Sequence, residues 1–100
     1  MHGEYKTPGG KLVVVDFAVQ DNQLRDVRVS GDFFLYPEDA LSDITAALEG
    51  APADLTEEQI ATRIEGAIPP GTEWLGTSPA ALAIAVRRAL ASTPESELIG

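Results

Sequence analysis

The chain contains no cysteine. Disulfides, thiolate-held zinc or iron–sulfur clusters, and thiol nucleophiles are excluded together. It has a single histidine, His2. Any metal site would therefore rest on carboxylates, and any Ser–His arrangement would have to run through the second residue. Basic residues are also scarce: seven Lys and Arg stand against 16 Asp and Glu, a formal net charge of -9. Nucleic acids and anionic membranes both select clustered cations, so neither is expected as a partner. No apolar run approaches the ~20 residues needed to span a bilayer. Residues 1–10 are polar and glycine-rich, unlike a signal peptide, and a cytoplasmic location is expected.

What remains is the material of one folded domain. Hydrophobic residues make up 44% of the 100-residue chain and charged residues 23%, proportions that argue against wholesale disorder. Residues 1–10 read as a glycine-rich lead-in, 11–92 as a single α+β domain, and 93–100 as a frayed tail.

Two segments have strand character, Lys11–Gln20 (KLVVVDFAVQ) and Gln23–Leu35 (QLRDVRVSGDFFL). Both are rich in Val and Phe, which suit a half-buried pleated surface. The apolar positions are odd-numbered in each: Val13, Val15, Phe17 and Val19, then Val27, Val29 and Phe33. Directly paired residues share a face, so odd must meet odd. A two-residue loop at Asp21-Asn22 would set Phe17 against Asp26. A three-residue loop, Asp21 to Gln23, sets Phe17 against Val27 and Val15 against Val29, and places Asp16 beside Arg28. The longer loop is the expected one. Leu12, Val14 and Leu24 then fall on the partly exposed face.

Three helices follow. Pro37-Glu38-Asp39 suits a first turn, with a stripe of Ala40, Leu41, Ile44, Ala47 and Leu48 ended by Gly50 and Pro52. Thr56 to Gln59 is a capping box ahead of Ile60 and Ile64, and Pro69-Pro70-Gly71 closes that helix. Ser78-Pro79 opens the last, with Leu82, Ala85, Val86, Ala89 and Leu90 on one side. Helices in a block after strands predict an α+β layer, a small antiparallel sheet (the hairpin plus a short third strand or strand end) with three helices packed on one face. Val13, Val15, Phe17, Val27, Val29, Leu41, Ile44, Leu48, Ile60, Ile64, Leu82, Val86 and Leu90 are the expected core.

Few residues suggest chemistry. Glu38-Asp39 and Glu57-Glu58 are accounted for by helix starts, and Arg87-Arg88 by a helix end. Ser30, Ser42, Ser78, Ser92 and Ser96 have only His2 as a possible base. Tyr5 and Tyr36 read as packing residues, and Trp74 as a plug between helices. Two stretches stand out. Ser30-Gly31-Asp32-Phe33-Phe34 interrupts a good strand with glycine and then sets an acid before two aromatics, which fits either a bent strand end or a contact surface. Lys6-Thr7-Pro8-Gly9-Gly10-Lys11 is a glycine turn between lysines, able to offer amides to an anion but without the spacing of a P-loop.

Together these two stretches, with the hairpin between them and Pro37-Glu38 after them, resemble the C-terminal accessory domain of lipoate–protein ligases, which in some bacteria and archaea is a separate polypeptide. The resemblance runs from about Lys6 to Leu90. It implies a non-catalytic subunit, inactive alone, of an AMP-forming two-chain ligase. The partner it implies is the catalytic chain, which holds lipoate, ATP and Mg in the assembled ligase; no cofactor is expected on this chain by itself. The implied reaction joins lipoate to AMP with release of pyrophosphate, then passes the lipoyl group to a carrier-domain lysine. The accessory domain is associated with the first step. Lys6, Gly9, Gly10, Lys11, Ser30, Gly31, Asp32, Phe33 and Phe34 are the residues expected to contact the partner or close its active site. No catalytic or metal-binding residue is expected here. The order of elements is also similar to the iron–sulfur scaffold proteins, but Ser30-Gly31-Asp32 and Thr77-Ser78 stand where those proteins carry cysteine. The competing reading is a stand-alone interaction module with no part in lipoylation. A carboxylate-metal enzyme ranks last.

Overall fold

A computed structural model describes residues 1–91; the expected tail at 93–100 lies outside the described residues. The elements run β1 (His2–Lys6), β2 (Leu12–Gln20), β3 (Gln23–Gly31), β4 (Phe34–Tyr36), α1 (Ala40–Leu48), α2 (Glu57–Ala67), β5 (Glu73–Leu75) and α3 (Pro79–Ala91).

The hairpin of β2 and β3 forms, with a different loop from the expected one. Gln20 pairs with Gln23, so the turn is the two residues Asp21 and Asn22, at φ 54° and 60°. Positive φ at both positions gives the mirror-image turn whose twist matches that of the strands. The conflict that disfavoured this loop is resolved by a bulge. Val15 pairs with Val29 and Asp16 with Arg28 as expected, and the register then slips before Ala18 meets Arg25. Phe17 thus faces Asp26 and Val27 together, with Asp26 at φ 55°. Phe17 and Val27 both stay in the core. Beyond the bulge the alternation inverts, so Leu24 points inward and is 2% exposed, correcting its expected place on the open face. Leu12 and Val14 are half-buried there. The bulge has a cap of its own. The Glu49 carboxylate accepts from the amides of Asp26 (3.1 Å) and Val27 (3.4 Å).

The expected lead-in contains a strand. Residues 2–6 form β1, antiparallel to β2, with Gly3 opposite Val15 and Tyr5 opposite Val13. The sheet order is β1-β2-β3. Sequence periodicity hides β1 because a glycine stands where an apolar side chain would mark the inner face. Gly3 is there because α3 crosses directly over it. A Cβ at this position would lie 2.2 Å from the carbonyl oxygen of Ala85 and 2.7 Å from the nitrogen of Ala89.

Phe33 to Leu35 does not continue β3. Gly31, at φ 147°, ends that strand. A Cβ on Gly31 would sit 2.1 Å from the Leu12 carbonyl oxygen, so close approach and backbone angle both select glycine. Three residues on, β4 pairs antiparallel with β5, Phe34 against Leu75, Leu35 against Trp74 and Tyr36 against Glu73. Pro37 to Asp39 is a separate turn before α1 rather than its first turn, since the amides of Ala40 and Leu41 bond back to Pro37 and Glu38. The capping box at α2 forms in full. Thr56 Oγ1 accepts from the Gln59 amide at 3.1 Å, and Gln59 Oε1 accepts from the Thr56 amide at 2.9 Å. Ser78 Oγ caps α3 by accepting from the Ala81 amide at 3.1 Å.

The fold is the expected α+β arrangement of a small antiparallel sheet and three helices. Helix α3 packs on β1 and β2, α1 on β3 and β4, and α2 on the other two helices. All the expected core residues belong to one cluster, with Val29, Leu41 and Leu90 half-buried at its margin. Leu24, Leu35, Ala40 and Ala51, with the alanines of α3, complete it.

Candidate partner-binding site

The two stretches that stood out in sequence meet at one end of the sheet. The glycine turn is closed by the Gly10 amide donating to the Thr7 carbonyl at 2.7 Å, and the Lys11 amide donates across to the carbonyl of Gly76 at 3.0 Å. The Asp32 amide donates to the Leu12 carbonyl at 3.2 Å. Gly76 lies against the Lys11 side chain and the Cβ of Phe33. Three segments distant in sequence, 7–11, 31–34 and 73–77, therefore share one junction. The hydroxyls of Thr7 and Thr77 are buried without a hydrogen-bond partner among the described residues.

The expected site residues distribute unevenly over this end. Gly10, Lys11, Gly31 and the Asp32 amide build the junction itself. Phe33 is half-buried against the core. Lys6, Gly9 and the Asp32 side chain are exposed, and Ser30 sits exposed opposite Val14. The amides of Gly10 and Lys11 are engaged within the chain, which corrects the expectation that consecutive amides of this turn stand open to an anion. What the turn presents outward is the charge of Lys6 and Lys11.

Beside the junction, β4 and β5 form a two-stranded ribbon with two unlike faces. Leu35 and Trp74 turn inward and pack with the core. Phe34, Tyr36 and Leu75 turn outward and are 71%, 69% and 55% exposed. Tyr36 is therefore a displayed side chain and not the packing residue it was expected to be, whereas Tyr5 is half-buried as expected. Leu75 carried no sequence signal at all. Only its cross-strand neighbour Phe34, itself in a flagged motif, could have pointed to it.

Elsewhere several charged groups make contacts within the chain. His2 Nδ1 and Asp16, and His2 Nε2 and Glu4, are each 2.7 Å apart. Hydrogen bonds to Glu4 and then Asp16 raise the His2 pKa above its ordinary 6.5. Asp16 lies opposite Arg28 in register as expected, but its ion pair is with His2. Arg88 stacks 4.9 Å from the Tyr5 ring centre. Arg87 donates to the carbonyl of Leu55 at 3.1 Å, so it ties α3 to the α1–α2 loop, while Arg88 lies in the last turn of the helix. No three metal-ligating side chains converge among the described residues.

These features define a small α+β domain. Its distinctive end offers an apolar surface of Phe34, Tyr36 and Leu75. No protein-family profile matches the sequence. The chain is 32% identical over 63 residues to lipoate-protein ligase A subunit 2 of Thermoplasma acidophilum, a match spanning 62% of this chain and 67% of that protein. A chain in the solved structure of an archaeal lipoylation system, a bipartite lipoate protein ligase and its E2 lipoyl domain from Thermoplasma acidophilum, superposes with a TM-score of 0.65. The two are 26% identical, and the superposition covers 87% of this chain and 98% of that one. The chain belongs to the family of lipoate-protein ligase A subunit 2.

Proposed function

We propose that this chain is the non-catalytic subunit of a two-chain lipoate–protein ligase, and that with its catalytic chain it supports formation of lipoyl-adenylate. In that step a carboxylate oxygen of lipoate attacks the α-phosphorus of ATP, and pyrophosphate leaves. In the next, a lysine amine of a carrier domain displaces AMP. Family membership supports the subunit role. The observation that carries it on the structural side is the junction, where the two stretches that resemble those of ligase accessory domains converge beside an exposed apolar ribbon.

A second chain closing on an adenylating site accelerates the first step by excluding water and holding carboxylate and phosphate in line. Lys6 and Lys11 are the cations this end offers toward a polyphosphate. The same closure gains little in the second step, where the carrier lysine must enter.

Pyrophosphate release by the catalytic chain, measured with and without this chain, tests the reading. Release should rise when this chain is added, while transfer from preformed lipoyl-adenylate stays largely unchanged. The chain alone should do neither. Asp32→Asn should weaken the activation, because Asp32 stands exposed at the junction. Equal pyrophosphate rates, at concentrations where the two chains demonstrably bind, would overturn the proposal in favour of an interaction module without a role in lipoylation.

A further inference from the structure

The ribbon's outer face has no structural task within the described residues. Phe34 and Leu75 are directly paired across the strands, and Tyr36 stands next to them on the same face. Their opposite neighbours, Leu35 and Trp74, are anchored in the core, so the outward side chains are held on a fixed platform. Among the described residues, the other large exposed apolar side chains are Met1, just before β1, and Val19 on β2. A contiguous aromatic and aliphatic patch of this kind marks a contact surface.

Its border is acidic. Glu73 faces Tyr36 across the ribbon, Asp32 precedes it, and Glu38 lines a groove between β4 and α1 that continues the patch. None of the three is paired with a base among the described residues, where the ion pairs are those of His2. Lys11, against Gly76, is a cation on the junction side.

Resting on the subunit role proposed above, we infer that the Phe34–Tyr36–Leu75 face is the surface on which the catalytic chain docks, and that the docking surface of that chain has an apolar centre ringed by Lys or Arg. Complementary charge fixes the register and speeds encounter, and the buried aromatics hold the complex. A second copy of this chain is a poor occupant. A two-fold contact would set acidic border against acidic border on molecules already carrying a net charge of -9.

The test measures the dissociation constant of the purified full chain with its catalytic chain, at low and high salt. Phe34→Ser with Leu75→Ser should weaken binding ~10-fold or more, as expected for central apolar anchors. Glu38→Lys with Glu73→Lys should weaken it chiefly at low salt, by slowing association. Val19→Ser, an exposed apolar change at the hairpin, should leave the constant unaltered. Circular dichroism confirms that each variant is folded. Wild-type binding by the double serine variant, in a pair that does release pyrophosphate faster, overturns the docking surface and leaves the subunit role standing. A wild-type chain that neither binds nor activates removes both. A homodimer that dissociates in the serine variant, or an unchanged catalytic-chain affinity with lost binding to a lipoyl domain, would assign the face to another occupant.

Discussion

A methyl group on Gly3 would meet backbone that cannot retreat. The Ala85 carbonyl it would strike belongs to the ladder of α3, and β1 is held in turn by its pairing with β2. Gly3→Ala should therefore destabilise the fold by about 1–3 kcal/mol, the usual cost of overpacking, read as a lowered urea midpoint. A second single-residue effect is electrostatic. The His2 pKa is raised in the folded chain, so the proton binds more tightly there than in the unfolded one. The resulting stabilisation is complete below the ordinary value of 6.5 and is lost as pH rises through the raised folded value. Thermal midpoints should fall across that window in the natural chain, and the fall should vanish in His2→Asn. The side chain is 53% exposed, so the effect should be small and weaken further with salt.

The elements show how local signals succeed and where they fail. Thr56 and Gln59 spell a capping box, and the box forms, because every atom it needs lies within one turn of helix. The hairpin loop depends on information from elsewhere. Asp21-Asn22 suits a tight turn, yet strict alternation of the apolar residues argues against it. The bulge that reconciles the two rests on Glu49, far along the chain and invisible to any local pattern. Glu49→Ala should accordingly weaken the fold by about 0.5–1.5 kcal/mol, since two amides lose an acceptor. Amide exchange of Asp26 and Val27 should accelerate in that variant more than that of Val15. The ribbon was hidden for a related reason. Its strands are three residues each, too short for a period, and they come from opposite sides of two helices. The two stretches that stand out in sequence meet beside the ribbon, but the outward placing of Tyr36 and Leu75 next to Phe34 is legible only once the chain has folded.

At the scale of the molecule, the stripes read from sequence converge on one core, because an apolar helix face has no other place to go in a chain this short. Ile44 and Leu82 are fully buried within it. Truncating either to Ala should cost ~2–5 kcal/mol, a large share of the 5–15 kcal/mol typical of a whole domain, and denaturant titration would show it as a shifted midpoint with little change of slope. The junction carries a different kind of leverage. Its three segments are drawn from the beginning, the middle and the latter part of the described chain, and each is continuous with a different part of the core. A partner seated there would hold the whole topology shut, so its binding energy would appear as global stability, about 2.7 kcal/mol at a hundred times the dissociation constant. A copy without its partner would open more often along its entire length, and would be the first to be cleared by proteolysis. The lifetime of this protein would then follow the supply of its partner, balancing the two chains without any dedicated control.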